Sequence, residues 1–185
     1  LALHLIKVHG LEGVQVEATE AGDHYDPIDK MVRLTPDKLE RRSLTAIVVA
    51  AHEVGHAIQF NRQEPVSLLR DRYLAKAHLI QNCGIYLLMA MPVIGALLRI
   101  PHLMMLNIAI GIATMFISVL MYLAILPEEW DASFNKALPI LQQGEYVPQA
   151  YFPAIRQVLK ACALTYVAAA LADILRLWRW LSLLR

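Results

Sequence analysis

Residues 102–126 form a run of 25 positions without a single Asp, Glu, Lys or Arg. About 20 apolar residues cross the hydrocarbon core of a bilayer, so a helix here is long enough to span one. A second uncharged run covers residues 83–98, and extending it back to about residue 79 gives another helix of spanning length. Arg99-Ile100-Pro101-His102 reads as a tight turn that makes the two a hairpin. Residues 161–184 are a weaker third candidate. Asp173 and Arg176 can pair there, and Trp178 and Trp180 suit a membrane–water boundary. That segment is expected to span with a snorkelling basic end, or else to lie in the interface. The composition agrees, since 57% of the 185 residues are hydrophobic and only 18% are charged, which is too apolar for an ordinary soluble domain. A net charge of +1 leaves no electrostatic case for nucleic acid. Cys83 and Cys162 sit in apolar segments without metal-type spacing, and no disulfide framework is indicated.

The remaining segments read as short elements. A helix from residue 1 to 8 is stopped by Gly10, residues 14–16 alternate like a strand, residues 23–27 form a polar turn, and residues 31–34 form a second strand. Thr35-Pro36 opens a short helix, and Ser43 caps a long one that runs to about residue 61. A polar, basic stretch over 63–76 leads into the first membrane helix. Pro127 is expected to end the second, with a separate helix over 128–143 and a loop over 144–153. The chain opens inside a helix without an initiator Met, and is expected to be a fragment or a processed form.

His52-Glu53-Val54-Gly55-His56 lies within the long helix. Two histidines four apart project from one helix face, so their ring nitrogens can converge on one zinc ion. Glu53, beside the first ligand, is placed to take a proton from a water at that ion, which implies peptide hydrolysis. Shuffling a chain with this content of His and Glu would give the pattern in roughly one case in a hundred. The flanks, Ile47-Val48-Val49-Ala50-Ala51 and Ala57-Ile58, are apolar, and buried His and Glu are costly unless paired or bound to metal. Gly55 costs about 1 kcal/mol against Ala in a helix interior, and close approach of another group would explain it.

A catalytic zinc takes three protein ligands and keeps one position open. His4, His9, His24, His78 and His102 lie in no helix expected to pack on the motif helix. The best acidic cluster, Glu128-Glu129-Trp130-Asp131-Ala132-Ser133, falls at the membrane exit of the second spanning helix. Alone, that cluster could equally be the charged first turn of a helix. Glu128 and Glu129 point about 100° apart on a helix, so only one face is expected to meet the His52/His56 stripe.

Several segments together resemble the YugP-like membrane zinc metallopeptidases, a bacterial group of neutral peptidases. They are Asp23-His24-Tyr25-Asp26-Pro27 with Val32-Arg33-Leu34, Ala50 to Ala57, Leu126-Pro127 with Glu129-Trp130-Asp131-Ala132-Ser133, and Leu164 to Leu171. The resemblance covers nearly the whole chain. The family usually has a further N-terminal membrane helix. The Glu129 region also looks like the HtpX and CAAX-prenyl protease group, where a Glu-x-x-Ala-Asp segment supplies the third ligand. By that similarity Glu129 is the ligand and Ala132 the small residue. Ser133 stands where that group has Asp, so support for a ligand histidine must come from elsewhere, with Asp131 as the candidate. In similar zincins the strand after residue 27 runs along the cleft. His24 or Tyr25 could then donate to the oxyanion, unless the turn only fixes geometry.

These readings imply a mainly α integral membrane protein. Its zincin-like catalytic part, a short β-hairpin plus the motif helix, lies against a bundle of two or three membrane helices. Residues 1–78 hold the motif helix, 79–126 the membrane hairpin, 127–160 the third ligand and 161–185 the last helix. The expected function is a zinc metalloendopeptidase acting on peptide or protein substrates, membrane proteins among them. Strand 31–34 is expected to pair with an extended substrate. A non-catalytic zinc-binding membrane scaffold or adaptor is the alternative, and intact Glu53 argues against it. A transporter would need acidic residues inside the two main spans, which have none. Arg62, Arg70, Arg72, Lys76, Lys136, Arg156 and Lys160 outnumber Arg99, Arg176, Arg179 and Arg185, so the catalytic side is expected to face the cytoplasm of a multi-pass cell-membrane protein.

Overall fold

The computed structural model describes residues 1–98 and 102–183, so the turn expected at 99–102 lies outside the described residues except for His102. The side chains of Asp173, Arg176, Trp178 and Trp180 also lie outside them. The chain is mainly helical with one small sheet. Contacts divide it into two compact units: Leu1–Leu68 with Pro127–Thr165, and Leu69–Leu126 with the residues from Tyr166 onward.

In the first unit, α1 (Ala2–Val8) leads into strands β1 (Gln15–Ala18), β2 (His24–Asp26) and β3 (Met31–Leu34), then α2 (Pro36–Glu40) and α3 (Leu44–Asn61). The sheet order is β1-β3-β2, with β3 parallel to β1 and antiparallel to β2. Two sequence expectations change here. Residues 24–26, expected within a turn, form a strand, because Tyr25 pairs with Val32 and turns its ring into the core while His24 and Asp26 stay half-buried. The hairpin is therefore β2–β3, and the two strands expected from alternation pair in parallel. Moreover β3 is the central strand with both edges taken, so it cannot accept a substrate strand.

Ser43 caps α3 as its sequence position predicts, its Oγ accepting from the Ala46 N–H at 3.1 Å. The helix is buried almost all round, which explains an apolar run with no polar face. Sheet residues Tyr25, Val32 and Leu34, α1 residues Leu5 and Ile6, and Ile155 and Leu159 share its core.

The second acidic segment departs most from expectation. Pro127 lies inside α5 (His102–Trp130) instead of ending it, and the chain continues without a break. Proline removes one backbone donor and crowds the preceding turn, and a helix interior holds it only where neighbouring turns adjust. A π-helical segment, Asp131–Ala137, follows, then α6 (Leu138–Gln143). Residues 128–143 are thus the end of one long helical run, not a separate helix. After a short turn at Gln149–Tyr151, α7 (Phe152–Ala163) packs on α3 and on the π segment. The last helix, α8 (Thr165–Leu183), begins only after a break at Leu164, four residues later than expected from composition.

The second unit holds most of α4 (Leu68–Leu98) and α5. Gly84 and Gly111 let these two helices approach closely, since an added Cβ would meet the Thr114 and Leu88 side chains at 2.4 and 2.5 Å. The buried Asn107 amide donates to the Leu88 carbonyl at 3.3 Å. Tyr122 stacks on Tyr166 with ring centroids 6.0 Å apart. Among the described residues two stretches are long and apolar enough to cross a membrane, His78–Gly95 and Met105–Gln143. A third arises if Gln149–Ala163 and Thr165–Ala172, bent by 51°, count as one span. The second stretch has 39 residues, about 58 Å of helix against a core of about 30 Å. A core of that thickness would take only part of it, and the uncharged run before Glu128 is long enough to supply that part.

Candidate metal centre

Helix α3 carries His52 and His56 one turn apart, and their rings meet edge to face with centroids 4.7 Å apart. Facing them is the junction between α5 and the π segment. Glu129, Ala132 and Ser133, at helical spacings of three and four, share the face that meets α3. Gly55 makes the approach possible: a Cβ there would lie 2.7 Å from the Ala132 carbonyl oxygen. The close neighbour anticipated from a glycine in mid-helix is therefore the backbone of Ala132.

Glu129 Oε2 lies 3.3 Å from His56 Nε2 and 3.4 Å from His52 Nε2. One donor atom from each of the three residues falls within 4.8 Å of the others, and all three side chains are buried. Two imidazoles and one carboxylate suit zinc, and three protein ligands leave a position for water or substrate. The donor set fits the ion.

The backs of both rings are also held. Ser133 Oγ is 3.1 Å from His52 Nδ1, so the serine itself contacts a histidine although it stands where Asp was expected. Gln59 Oε1 is 3.0 Å from His56 Nδ1, while Gln59 Nε2 donates to the Glu128 carbonyl at 3.0 Å and to Asp131 Oδ2 at 2.8 Å. Asp131 thus reaches His56 through Gln59 and not directly. Sequence reasoning missed Gln59, although a polar residue one turn beyond His56 inside an apolar run was a usable signal. Asp131 also accepts from Asn135 at 2.7 Å and pairs with Lys136 at 3.2 Å, neighbours four and five residues on that the wide π turn brings to one carboxylate. Lys136 bridges on to Glu64 at 2.9 Å.

Glu128 is fully buried, its Oε1 3.8 Å from His56 Nδ1. The expectation that only one of the two glutamates could face the histidines is too strict. Both come near His56, but on opposite nitrogens, and Glu129 is on the side shared with His52. Glu53 is 6% exposed and makes no hydrogen bond or ion pair among the described residues.

His24 and Tyr25 are not hydrogen-bonded to this group. His24 Nδ1 turns back to the Gly22 carbonyl at 2.8 Å. The Tyr25 ring packs on Phe60 with centroids 5.7 Å apart, and burial together with the Asp26 charge raises its pKa above the ordinary value. Arg33 ties the sheet together by pairing with Glu17 on β1, Asp26 on β2 and Asp29 in the connecting turn.

A buried His–His–Glu set in a helical chain with two helices able to cross a membrane is the arrangement of a candidate membrane metalloprotein. A family profile described as "Putative neutral zinc metallopeptidase" matches residues 1–185, and the chain belongs to that family. It is 32% identical over 184 residues to "Putative membrane protease YugP" of Bacillus subtilis (strain 168), an alignment covering 98% of this chain and 78% of the relative. No solved structure matches.

Proposed function

We propose that this chain is a multi-pass membrane zinc endopeptidase. His52 and His56, through Nε2, and Glu129, through its carboxylate, hold the ion. When bound, zinc supplies Lewis-acid chemistry, lowering the pKa of water and polarising a peptide carbonyl. Glu53 does the proton work: its carboxylate takes a proton from the attacking water and passes it to the leaving amine nitrogen. A carboxylate with no partner among the described residues is available for that transfer, whereas Glu129 is committed to the two rings. His24 or Tyr25 remains the proposed oxyanion donor, and either must move to serve, given the contacts they now make. The segments on either side of the membrane hairpin together build the catalytic part, which faces the cytoplasm. Peptide bonds of proteins, membrane proteins included, are the substrate class. The relative's name as a membrane protease supports that reading.

The observation that carries the proposal is the convergence of His52 and His56 on α3 with Glu129 on α5 in one buried group, with Glu53 next to His52 in the chain. The test is metal analysis of the purified protein together with hydrolysis of casein or a membrane protein. Glu53→Gln should keep zinc and lose about 10²–10⁴-fold in rate. Zinc binding without any Glu53-dependent hydrolysis would instead favour the non-catalytic scaffold.

A further inference from the structure

We propose that Gln59 is a positioning residue that locks His56 in the one neutral tautomer able to bind the ion, and that it links Asp131 to that ring. The argument uses only hydrogen-bond chemistry. A glutamine amide has one oxygen that accepts and one NH2 that donates twice. Two of the three partners of Gln59, the Glu128 carbonyl at 3.0 Å and the Asp131 carboxylate at 2.8 Å, offer oxygens that accept. The NH2 must face them both. Flipping the amide would set Oε1 against two oxygens, and Gln59 is fully buried, so no solvent can relieve that repulsion.

Oε1 is thereby fixed toward His56 Nδ1 at 3.0 Å, and an oxygen that only accepts requires a hydrogen on that nitrogen. Nε2, 3.3 Å from Glu129 Oε2, is then the nitrogen left to the ion. With the ion bound the neutral ring turns its Nε2 lone pair to it, and without the ion the Glu129 carboxylate accepts a hydrogen from Nε2. His52 is held differently. Its Nδ1 meets the Ser133 hydroxyl at 3.1 Å, and a hydroxyl can donate or accept, so that contact sets no tautomer. Gln59 thus presets His56, and the Ser133 hydroxyl does not do the same for His52. Asp131, itself engaged by Asn135 and Lys136, is what keeps the amide from turning.

This inference rests on the zinc reading for its purpose, but its first readout needs no metal. Nitrogen NMR of the full-length chain in detergent, at mildly alkaline pH, should show a hydrogen on His56 Nδ1 already in the metal-free state. Gln59→Leu should release the ring to a mixture and weaken zinc binding in chelator competition by about 10–100-fold, leaving the His52 signals in place. Asp131→Asn should give a smaller change of the same kind, because the NH2 of an asparagine side chain there can donate to a flipped Gln59 amide. A His56 Nδ1 without a hydrogen in the unaltered chain would overturn the proposal, as would Gln59→Leu with an unchanged tautomer and zinc affinity within about twofold. Should Gln59→Leu not fold, the unaltered chain and Asp131→Asn still decide it. Absence of zinc binding by the unaltered chain would sink the zinc reading, while the metal-free tautomer would still judge Gln59.

Discussion

Gly55→Ala sets two effects of opposite sign against each other, and the structure decides which wins. In a helix interior, alanine stabilises by about 1 kcal/mol relative to glycine. Here the new Cβ would lie 2.7 Å from the Ala132 carbonyl oxygen and 3.3 Å from its C and Cα. Those are backbone atoms of a packed segment and cannot rotate aside. Restoring an ordinary contact of about 3.4 Å calls for a separation of roughly 0.7 Å, and overpacking of this kind costs about 1–3 kcal/mol. The net change is a loss of up to about 2 kcal/mol. The metal site should suffer more than the fold. Ser133 is adjacent to Ala132, and its 3.1 Å contact with His52 would open to about 3.8 Å, beyond hydrogen-bond reach. Glu129 rides on the same face. Loss of such support lowers metal affinity about 10–100-fold. Thermal unfolding of the metal-free protein and chelator competition for zinc read the two effects separately. A Gly55→Ala protein about 1 kcal/mol more stable, with unaltered zinc affinity, would refute the apposition of α3 and the π segment.

Zinc titration should show the largest affinity loss for Glu129→Gln, with smaller losses for Glu128→Gln and Asp131→Asn; a larger loss at either neighbour would move the ligand assignment there. His52→Ala and His56→Ala should each lose zinc and hydrolysis together, as measured by metal content and peptidase rate. Burial would raise the Asp26 pKa, but backbone N–H groups of Asp29 and Ile28 and the Arg33 guanidinium outweigh it and hold the carboxyl below its ordinary value. The stability this gives is present above the ordinary carboxylate range and is lost as pH falls through the lowered value. Asp26→Asn should therefore cost less than about 1 kcal/mol at neutral pH, and that difference should shrink on acidification in denaturant titrations; a difference that grows would contradict the sign. A cysteine placed near Gln63 should stay unlabelled by an impermeant reagent in intact cells, and labelling would invert the proposed orientation.

How far the sequence carries depends on whether the governing contact is local. Ser43, Thr35-Pro36 and the His–Glu–x–x–His spacing act within one helical turn, and the elements they announce begin at the expected residues. The Gly55 inference succeeded for a related reason, since a costly residue in a well-formed helix signals a neighbour even when the neighbour is unknown. Strand β2 was hidden because three residues carry too little alternation to outweigh adjacent Asp and Pro, and only pairing with β3 reveals it. At Pro127 the local rule predicted a stop, but the helical run continues into a π segment that widens the turn. Of the three acidic candidates that widening affects Asp131 alone, which lies in the π segment, whereas Glu128 and Glu129 precede it in α5. Glu128 and Glu129 both arrive at His56, on opposite nitrogens, and what separates them is Gln59 occupying the Nδ1 side. A buried amide on a different helix, 69 residues away from its carbonyl partner, is a contact that no pattern within either segment encodes.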